Sequence, residues 1–213
     1  MDSDATPLSG TERTFQAALR KLHTGDLVGA AEGYREVLEL DPGHIRARNN
    51  LAVLLDRTGD HEAAVGHLHA ALELEPENPE LLSNLGAALG ALGRFGEAEE
   101  ALRRALRLEP SGTDVRANLG LLHFRRGLTE QAETELRWVC ERDPEHASAH
   151  FYRGEVLNRL GRVEEGLQVL ERAVELQPTN ARAFHLMGIL YDRKGEPERA
   201  SEMYRKARAL SRR

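Results

Sequence analysis

Apolar residues recur along the chain at intervals of three and four, with polar and charged residues between them. One stretch shows two such runs in succession: Leu82, Leu85, Ala88, Leu89 and Leu92, followed by Ala98, Ala101, Leu102, Ala105 and Leu108. This spacing places the apolar residues on one face of an α-helix. The pattern therefore predicts pairs of amphipathic helices, and we expect an all-α protein.

Glycines and prolines punctuate these helices with a fixed period of 34 residues. Six glycines share this spacing: Gly25, Gly59, Gly93, Gly127, Gly161 and Gly195. Prolines stand 17 residues after the first five of them: Pro42, Pro76, Pro110, Pro144 and Pro178. Glycine ends a helix cheaply because it adopts the left-handed conformation, and proline stops a helix because it cannot continue the hydrogen-bond ladder. Each period therefore predicts one helical hairpin. In the first two hairpins Asp26 and Asp60 directly follow the glycine and are expected to cap the second helix.

The period divides the chain into six units after a flexible N-terminal segment, 1–10. The units are 11–44, 45–78, 79–112, 113–146, 147–180 and 181–213. Ser9 and Glu12 have the spacing of a capping box at the start of the first helix. Together the six units predict one elongated domain over 11–213 rather than two ordinary globular ones.

Small residues form columns in both helices of the hairpin. Four glycines share one place in the first helix: Gly86, Gly120, Gly154 and Gly188. The second helix carries small residues such as Ala98 and Ala132 in a matching column, with Leu102, Leu136, Leu170 and Tyr204 in a larger column beside it. Because a glycine inside a helix costs about 1 kcal/mol relative to alanine, we expect a steric demand there, with small residues facing small ones.

These features resemble the tetratricopeptide repeat (TPR) family. The resemblance rests on the 34-residue period, the small-residue columns, the closing proline, and the apolar residues before the small position: Leu51, Leu85, Leu119 and Met187. It implies a right-handed superhelical solenoid of helical hairpins whose concave surface is lined by the first helices. It also implies binding of other proteins rather than catalysis. Arg153 departs from the pattern because it stands in the leucine column.

Charge and composition exclude several classes of function. The formal net charge is −6, from 29 basic and 35 acidic side chains, and this balance argues against nucleic-acid binding, which needs unopposed Lys and Arg. No apolar run approaches the roughly 18 residues of a membrane-spanning helix. The start of the chain does not resemble a secretory signal, and the single cysteine, Cys140, agrees with a reducing compartment. We therefore expect a cytoplasmic protein without a membrane segment.

A column of asparagines on the first helices is the main candidate binding feature, with Asn50, Asn84 and Asn118 in successive units. A side-chain amide both donates and accepts hydrogen bonds, which suits the backbone of an extended peptide of any sequence. Asparagine at this place can instead bond locally, and the sequence leaves both roles open.

A second column holds arginines near the ends of first helices: Arg57, Arg125, Arg159 and Arg193. Arginine there can hold carboxylates of a ligand, or it can complement the dipole of a helix C-terminus. Between the two columns, Leu121, Phe124 and Phe151 are expected to contribute to an apolar floor. The predicted ligand is an extended segment with apolar and acidic residues.

Candidate chemistry is sparse. His146 and His150 are four residues apart, but no carboxylate or cysteine pattern completes a metal site around them, so we interpret them as solvated or rim histidines. Cys140 stands where other units have leucine or valine, which predicts a packing residue. We expect neither catalytic residues nor a metal or cofactor.

The predicted function is a scaffold or adaptor that binds a peptide segment of a partner in the concave groove. One alternative is a targeting or regulatory module working with a separate enzyme, such as a glycosyltransferase or a signalling enzyme. Another is assembly as a homodimer through the solenoid ends, where Met203, Tyr204 and Leu210 are candidate contacts. Arg208 and Ser201, in places that other units give to apolar residues, favour instead a self-capped end.

Overall fold

The computed structural model describes residues 9–212, which form twelve α-helices and contain no β-strand. In chain order the helices are α1 (Gly10–His23), α2 (Leu27–Leu40), α3 (Ile45–Thr58), α4 (His61–Leu72), α5 (Pro79–Ala91), α6 (Phe95–Leu108), α7 (Thr113–Arg125), α8 (Thr129–Arg142), α9 (Ala147–Arg159), α10 (Val163–Leu176), α11 (Ala181–Lys194) and α12 (Pro197–Leu210). The all-α prediction is confirmed. The predicted N-terminal segment lies outside the described residues, except for Ser9 and Gly10.

The helices form two compact units, which divide after Pro110. The first unit contains α1 to α6, and the second contains α7 to α12. In both units, each odd-numbered helix packs against the helix that follows it to form a hairpin. The first helix of the next hairpin in the same unit then packs against the second helix of the previous one. Each unit is therefore a stack of three helical hairpins.

The turn inside each hairpin has the predicted conformation. All six periodic glycines adopt positive φ, between 74° and 90°, a region that side-chain-bearing residues rarely enter. Asp26 and Asp60 then cap the second helices, because their carboxylates accept the backbone N–H groups of Gly29 and Ala63 at 2.9 and 3.3 Å. The glycine and aspartate predictions are thus confirmed.

Caps on several first helices come from histidine and asparagine side chains, which the sequence analysis did not predict. These residues are His44, Asn78, His146 and Asn180. The imidazole Nδ1 of His146, for example, accepts the backbone N–H of Ala149 at 3.2 Å. At α1, Ser9 accepts the N–H of Glu12 as predicted, at 3.1 Å, whereas the Glu12 carboxylate accepts from Gln16.

The glycine column of the first helices meets the larger column of the second helices. A Cβ atom added to Gly154 would lie 2.6 Å from Cγ of Leu170, and one added to Gly86 would lie 2.5 Å from Cγ of Leu102. The backbone oxygen of Ala98 is also near, at 3.2 Å from that Cβ position on Gly86. The predicted steric demand is therefore present, but the tightest contact is glycine against leucine rather than small against small.

In the second unit, the leucine column is interrupted by an ion pair. Arg153 of α9 donates to the carboxylate of Glu133 of α8, with Nη2 at 3.1 Å from Oε1, and Glu133 is only 4% exposed. Arg137 and Arg162 lie farther from the same carboxylate, at 3.7 and 3.8 Å. A buried carboxylate needs such compensation, so Arg153 stays at an apolar place because Glu133 is opposite.

The glycine contact predicts opposite effects for two alanine substitutions. We expect Gly154→Ala to lower the free energy of unfolding by about 1–2 kcal/mol, because its methyl group displaces Leu170. We expect Gly66→Ala to raise it by up to about 1 kcal/mol, because Gly66 is an exposed helical residue with nothing within 4 Å of its added Cβ. Urea unfolding followed by circular dichroism measures both. Equal effects of the two substitutions would show that helix propensity alone governs these glycines.

The buried ion pair predicts a non-additive pair of substitutions. We expect Arg153→Leu alone to lower the free energy of unfolding by about 2 kcal/mol, because Glu133 loses its principal hydrogen-bond donor. Adding Glu133→Leu, which copies Leu167 of the next hairpin, should recover most of that loss. The same unfolding measurement tests this coupling. Full stability of Arg153→Leu alone, with no gain from the second substitution, would contradict it.

Candidate functional site

The predicted binding columns lie on the first helices of the hairpins, in both units. Asn50 and Asn84 lie on α3 and α5 of the first unit, and Asn118 lies on α7 of the second. All three side chains are half-buried. The amides of Asn50 and Asn84 therefore belong to one compact unit, and Asn118 belongs to the other.

Asn50 is held from below by a buried tyrosine. Its amide Nδ2 donates to the hydroxyl of Tyr34 at 3.2 Å, and Tyr34 of α2 is fully buried. Burial raises the pKa of Tyr34, and the hydrogen bond from Asn50 opposes that shift only partly. The hydroxyl therefore stays neutral at physiological pH and positions the amide. The second N–H and the carbonyl oxygen of the amide can form hydrogen bonds with a ligand.

Asn84 belongs to a chain of hydrogen bonds that joins two first helices. Its Nδ2 donates to Oδ1 of Asn49 at 2.8 Å, and Nδ2 of Asn49 donates to Oε1 of Glu80 at 2.6 Å. Asn49 is only 7% exposed, so this amide is a structural link. The sequence pattern does not predict this link, although Asn49 stands directly before Asn50. Local bonding of the asparagine column is thus a fact of the structure for Asn50 and Asn84.

The arginine column in the second unit contacts the ends of neighbouring helices. Arg159 donates through Nη1 to the backbone oxygen of Phe124 at 3.3 Å, and its guanidinium lies 4.0 Å from the centroid of the Phe124 ring. Arg193 donates in the same way to the backbone oxygen of Asn158 at 2.8 Å. Each arginine therefore adds a second hydrogen bond to a carbonyl at the C-terminal end of the preceding first helix, because Phe124 already accepts the N–H of Gly127 and Asn158 that of Gly161.

Arg57 and Arg125 are exposed and have no ion-pair partner among residues 9–212. The aspartate beside Arg57 does not neutralise it, because Asp56 pairs with Nδ1 of His61 at 2.7 Å. Asp192 accepts a hydrogen bond from the Tyr204 hydroxyl at 2.7 Å. The carboxylates beside these arginines therefore serve other contacts.

The predicted apolar floor is divided between surface and core. Leu121 and Phe124 are half-buried, and the Phe124 ring is covered on one face by Arg159. Phe151 is only 4% exposed and packs in a core cluster of the second unit, with the ring of Tyr152 at 5.2 Å. Phe151 is thus a core residue, whereas the neighbouring Tyr152 is half-buried.

The three candidate end-contact residues differ in exposure. Met203 is 8% exposed and belongs to the core of the second unit, whereas Tyr204 and Leu210 are half-buried. Burial, reinforced by the hydrogen bond to Asp192, raises the pKa of Tyr204 to about 12. Tyr204 is therefore a neutral hydrogen-bond donor anchored to α11.

Candidate chemistry is absorbed into packing. Within residues 9–212, no three metal-ligating side chains converge, and the interpretation of His150 as solvated is wrong because it is only 8% exposed. His146 instead lies beside Asp114, with Nε2 at 3.1 Å from its carboxylate. Cys140 is 7% exposed, and burial raises the pKa of its thiol to about 11, which disfavours the reactive thiolate.

None of the helices within the described part of the chain is long and apolar enough to cross a membrane.

Stacked helical hairpins whose first helices carry such a polar and apolar surface define a class of repeat proteins that bind other proteins. A family model of the tetratricopeptide repeat matches residues 15–79, 49–113, 83–137 and 117–181, and a second model of the same repeat matches residues 169–200. The chain belongs to the tetratricopeptide repeat family. No curated protein matches it in sequence.

Solved TPR structures resemble the chain over most of its length. A TPR protein from Parabacteroides merdae is 21% identical, with a TM-score of 0.79 over 97% of this chain and 80% of that one. The chain of the anaphase-promoting complex heterotetramer Cut9–Hcn1 is 17% identical, with a TM-score of 0.86 over 94% of this chain and 40% of that one. YrrB, described as a TPR protein with an unusual peptide-binding site, is 26% identical, with a TM-score of 0.56 over 84% of this chain and 93% of its own.

Proposed function

We propose that this chain is a non-enzymatic scaffold or adaptor that holds an extended peptide segment of a partner protein against its first helices. The observation that carries the proposal is the fixed orientation of the Asn50 and Asn84 amides in the first unit. Each amide is anchored by one N–H to the protein and is only half-buried. Its remaining N–H and its carbonyl oxygen have the chemistry to pair with a peptide backbone.

Anchoring favours binding because it removes motion before the ligand arrives. A free asparagine side chain loses rotamer entropy when it contacts a ligand, at a cost of about 0.5–1.5 kcal/mol for each immobilised side chain. The hydrogen bonds from Asn50 to Tyr34 and from Asn84 to Asn49 already restrict these side chains in the folded protein, so this rotamer entropy is not lost again on binding. The structural role and the proposed binding role of these residues are therefore compatible.

The second unit adds side chains that suit apolar and acidic ligand residues. Leu121, Phe124 and Tyr152 give half-buried apolar surface on the first helices. Arg159 keeps guanidinium donors beyond the one that bonds the Phe124 carbonyl, and Arg125 is exposed at the end of α7. A partner segment that binds to the first helices of the second unit would accordingly combine apolar residues with carboxylates. The similarity to YrrB supports the peptide class of ligand.

A matched pair of variants tests the amide role. Asn50→Ala and Tyr34→Phe both remove the hydrogen bond between these residues, but only Asn50→Ala removes the amide from the surface. We expect a peptide selected on the protein from a displayed random library to bind Asn50→Ala up to about tenfold more weakly, and Tyr34→Phe more weakly by a smaller factor of about two, because the amide stays at the surface but loses its anchor. Isothermal titration calorimetry measures both affinities.

Two results would contradict the proposal. Equal loss of affinity in both variants would mean that Asn50 acts through local structure alone. Unchanged affinity in Asn50→Ala and in an Asn50, Asn84 and Asn118 triple alanine variant would place the peptide elsewhere. Circular dichroism of each variant controls for loss of helix.

A further inference from the structure

A groove of about 860 Å³ lies beside the last hairpin of the second unit. Its floor is apolar, with Leu186 and Ile189 from α11 and Tyr204 and Ala207 from α12. Arg182 and Arg208 lie at its rim. We call this feature the end groove.

The same surface is covered in the two preceding hairpins of this unit. Tyr204 stands 34 residues after Leu170, which in turn stands 34 after Leu136, and both leucines are fully buried. They are buried where α9 packs on α8 and α11 packs on α10. Tyr204 is only half-buried. The end groove therefore lies at the place where, in each of the two earlier hairpins of this unit, the first helix of the next hairpin packs.

The walls of the end groove are held in place by internal contacts. Arg182 is paired with Glu155 at 3.0 Å, and its guanidinium lies 4.9 Å from the centroid of the Phe151 ring. The hydroxyl of Tyr204 is tied to Asp192 at 2.7 Å. The groove is thus preformed, and a ligand would not need to order these side chains.

Charge distinguishes the end groove from the equivalent surfaces of the two preceding hairpins. Arg208 stands where the preceding hairpins have Cys140 and Val174, and it is exposed without an ion-pair partner among residues 9–212. The surrounding stretch 205–212 carries Arg205, Lys206, Arg208 and Arg212 and no acidic residue. Within that stretch Lys206 pairs with Glu202 at 2.8 Å, and in the groove itself Arg182 pairs with Glu155, so Arg208 is the groove-lining charge that remains unpaired among residues 9–212. This unpaired charge attracts acidic ligands and repels basic ones.

We propose that the end groove binds an acidic amphipathic helix of a partner protein. The apolar face of that helix packs on Ile189, Tyr204 and Ala207, as first helices pack on the equivalent residues of earlier hairpins. Carboxylates at the edge of the helix pair with Arg208 and its basic neighbours. This surface uses α12 and does not depend on the asparagine column of the proposed function.

The chemistry of α1 disfavours a second copy of the chain as the occupant. Helix α1, the first helix of the described residues, carries Arg13 where α9 and α11 have the buried Ala149 and Ala183. It also carries Arg20 where α9 has the buried Val156. Both arginines are exposed. Seating α1 in the end groove would bring them against the basic stretch 205–212.

A designed helical peptide tests the proposal on the full chain. The probe is a fluorescein-labelled 16-residue amphipathic peptide, with leucines on one face and glutamates beside them, and its control has lysine at each glutamate position. By fluorescence anisotropy we expect the glutamate peptide to bind and the lysine peptide to bind at least tenfold more weakly. Arg208→Glu and Ile189→Glu should each weaken the glutamate peptide at least tenfold. Arg13→Glu, a matched reversal of an exposed arginine on α1, should leave its affinity unchanged.

Several results would overturn the proposal. One is equal binding of the glutamate peptide to wild type and Arg208→Glu, with circular dichroism showing both folded. Another is wild-type dimer mass in light scattering that is lost in Arg208→Glu, which would assign the groove to a second copy. Asn50→Ala should bind the helical probe as the wild type does, so that failure here is distinguishable from failure of the proposed function.

Discussion

The contact between a glycine of the first helix and a leucine or tyrosine of the second is the constraint on which four hairpins depend, those of α5 and α6, α7 and α8, α9 and α10, and α11 and α12. No side chain larger than hydrogen fits at Gly86, Gly120, Gly154 or Gly188 without displacing its neighbour. The close approach fixes how the two helices lie, and thereby which residues of the first helix face away from the second. The columns that we propose to bind a ligand lie on these first helices. A steric requirement in the core of the hairpin thus determines where the polar surface is presented.

Polar contacts between successive first helices add a second level of order within each unit. In the first unit, Asn84 reaches back to Asn49 of the previous first helix. In the second, Arg193 reaches back to the carbonyl of Asn158, and Arg159 to that of Phe124. Residues proposed to contact a ligand therefore also hold the hairpins in register. Ligand-binding surfaces with such internal support lose less entropy on binding than surfaces of unconstrained side chains.

The 34-residue period predicted the helical hairpins because its residues act on the backbone of their own segment, independently of neighbouring hairpins. A glycine at positive φ, an aspartate after it and a proline beyond the helix each act within a few residues, so Gly59 and Asp60 were predictable from the chain alone. Interactions across hairpins were not. The pairing of Arg153 with Glu133 depends on which rotamers meet across 20 residues of sequence. The burial of His150 likewise depends on packing, with its Nε2 at 3.2 Å from the backbone oxygen of Pro144. Asn49 was likewise overlooked, because its neighbour Asn50 carried the visible periodicity.

The central claim is that the amides of the first helices, already fixed by the protein, contact the backbone of a bound peptide. Nuclear magnetic resonance of the side-chain amide groups tests it most directly, with a peptide selected on the protein from a displayed random library. The claim predicts that the Asn50 and Asn84 amide signals shift on titration, while backbone signals of the second helices α2 and α4 stay in place. Unmoved asparagine signals, together with shifts concentrated in α2 and α4, would contradict it.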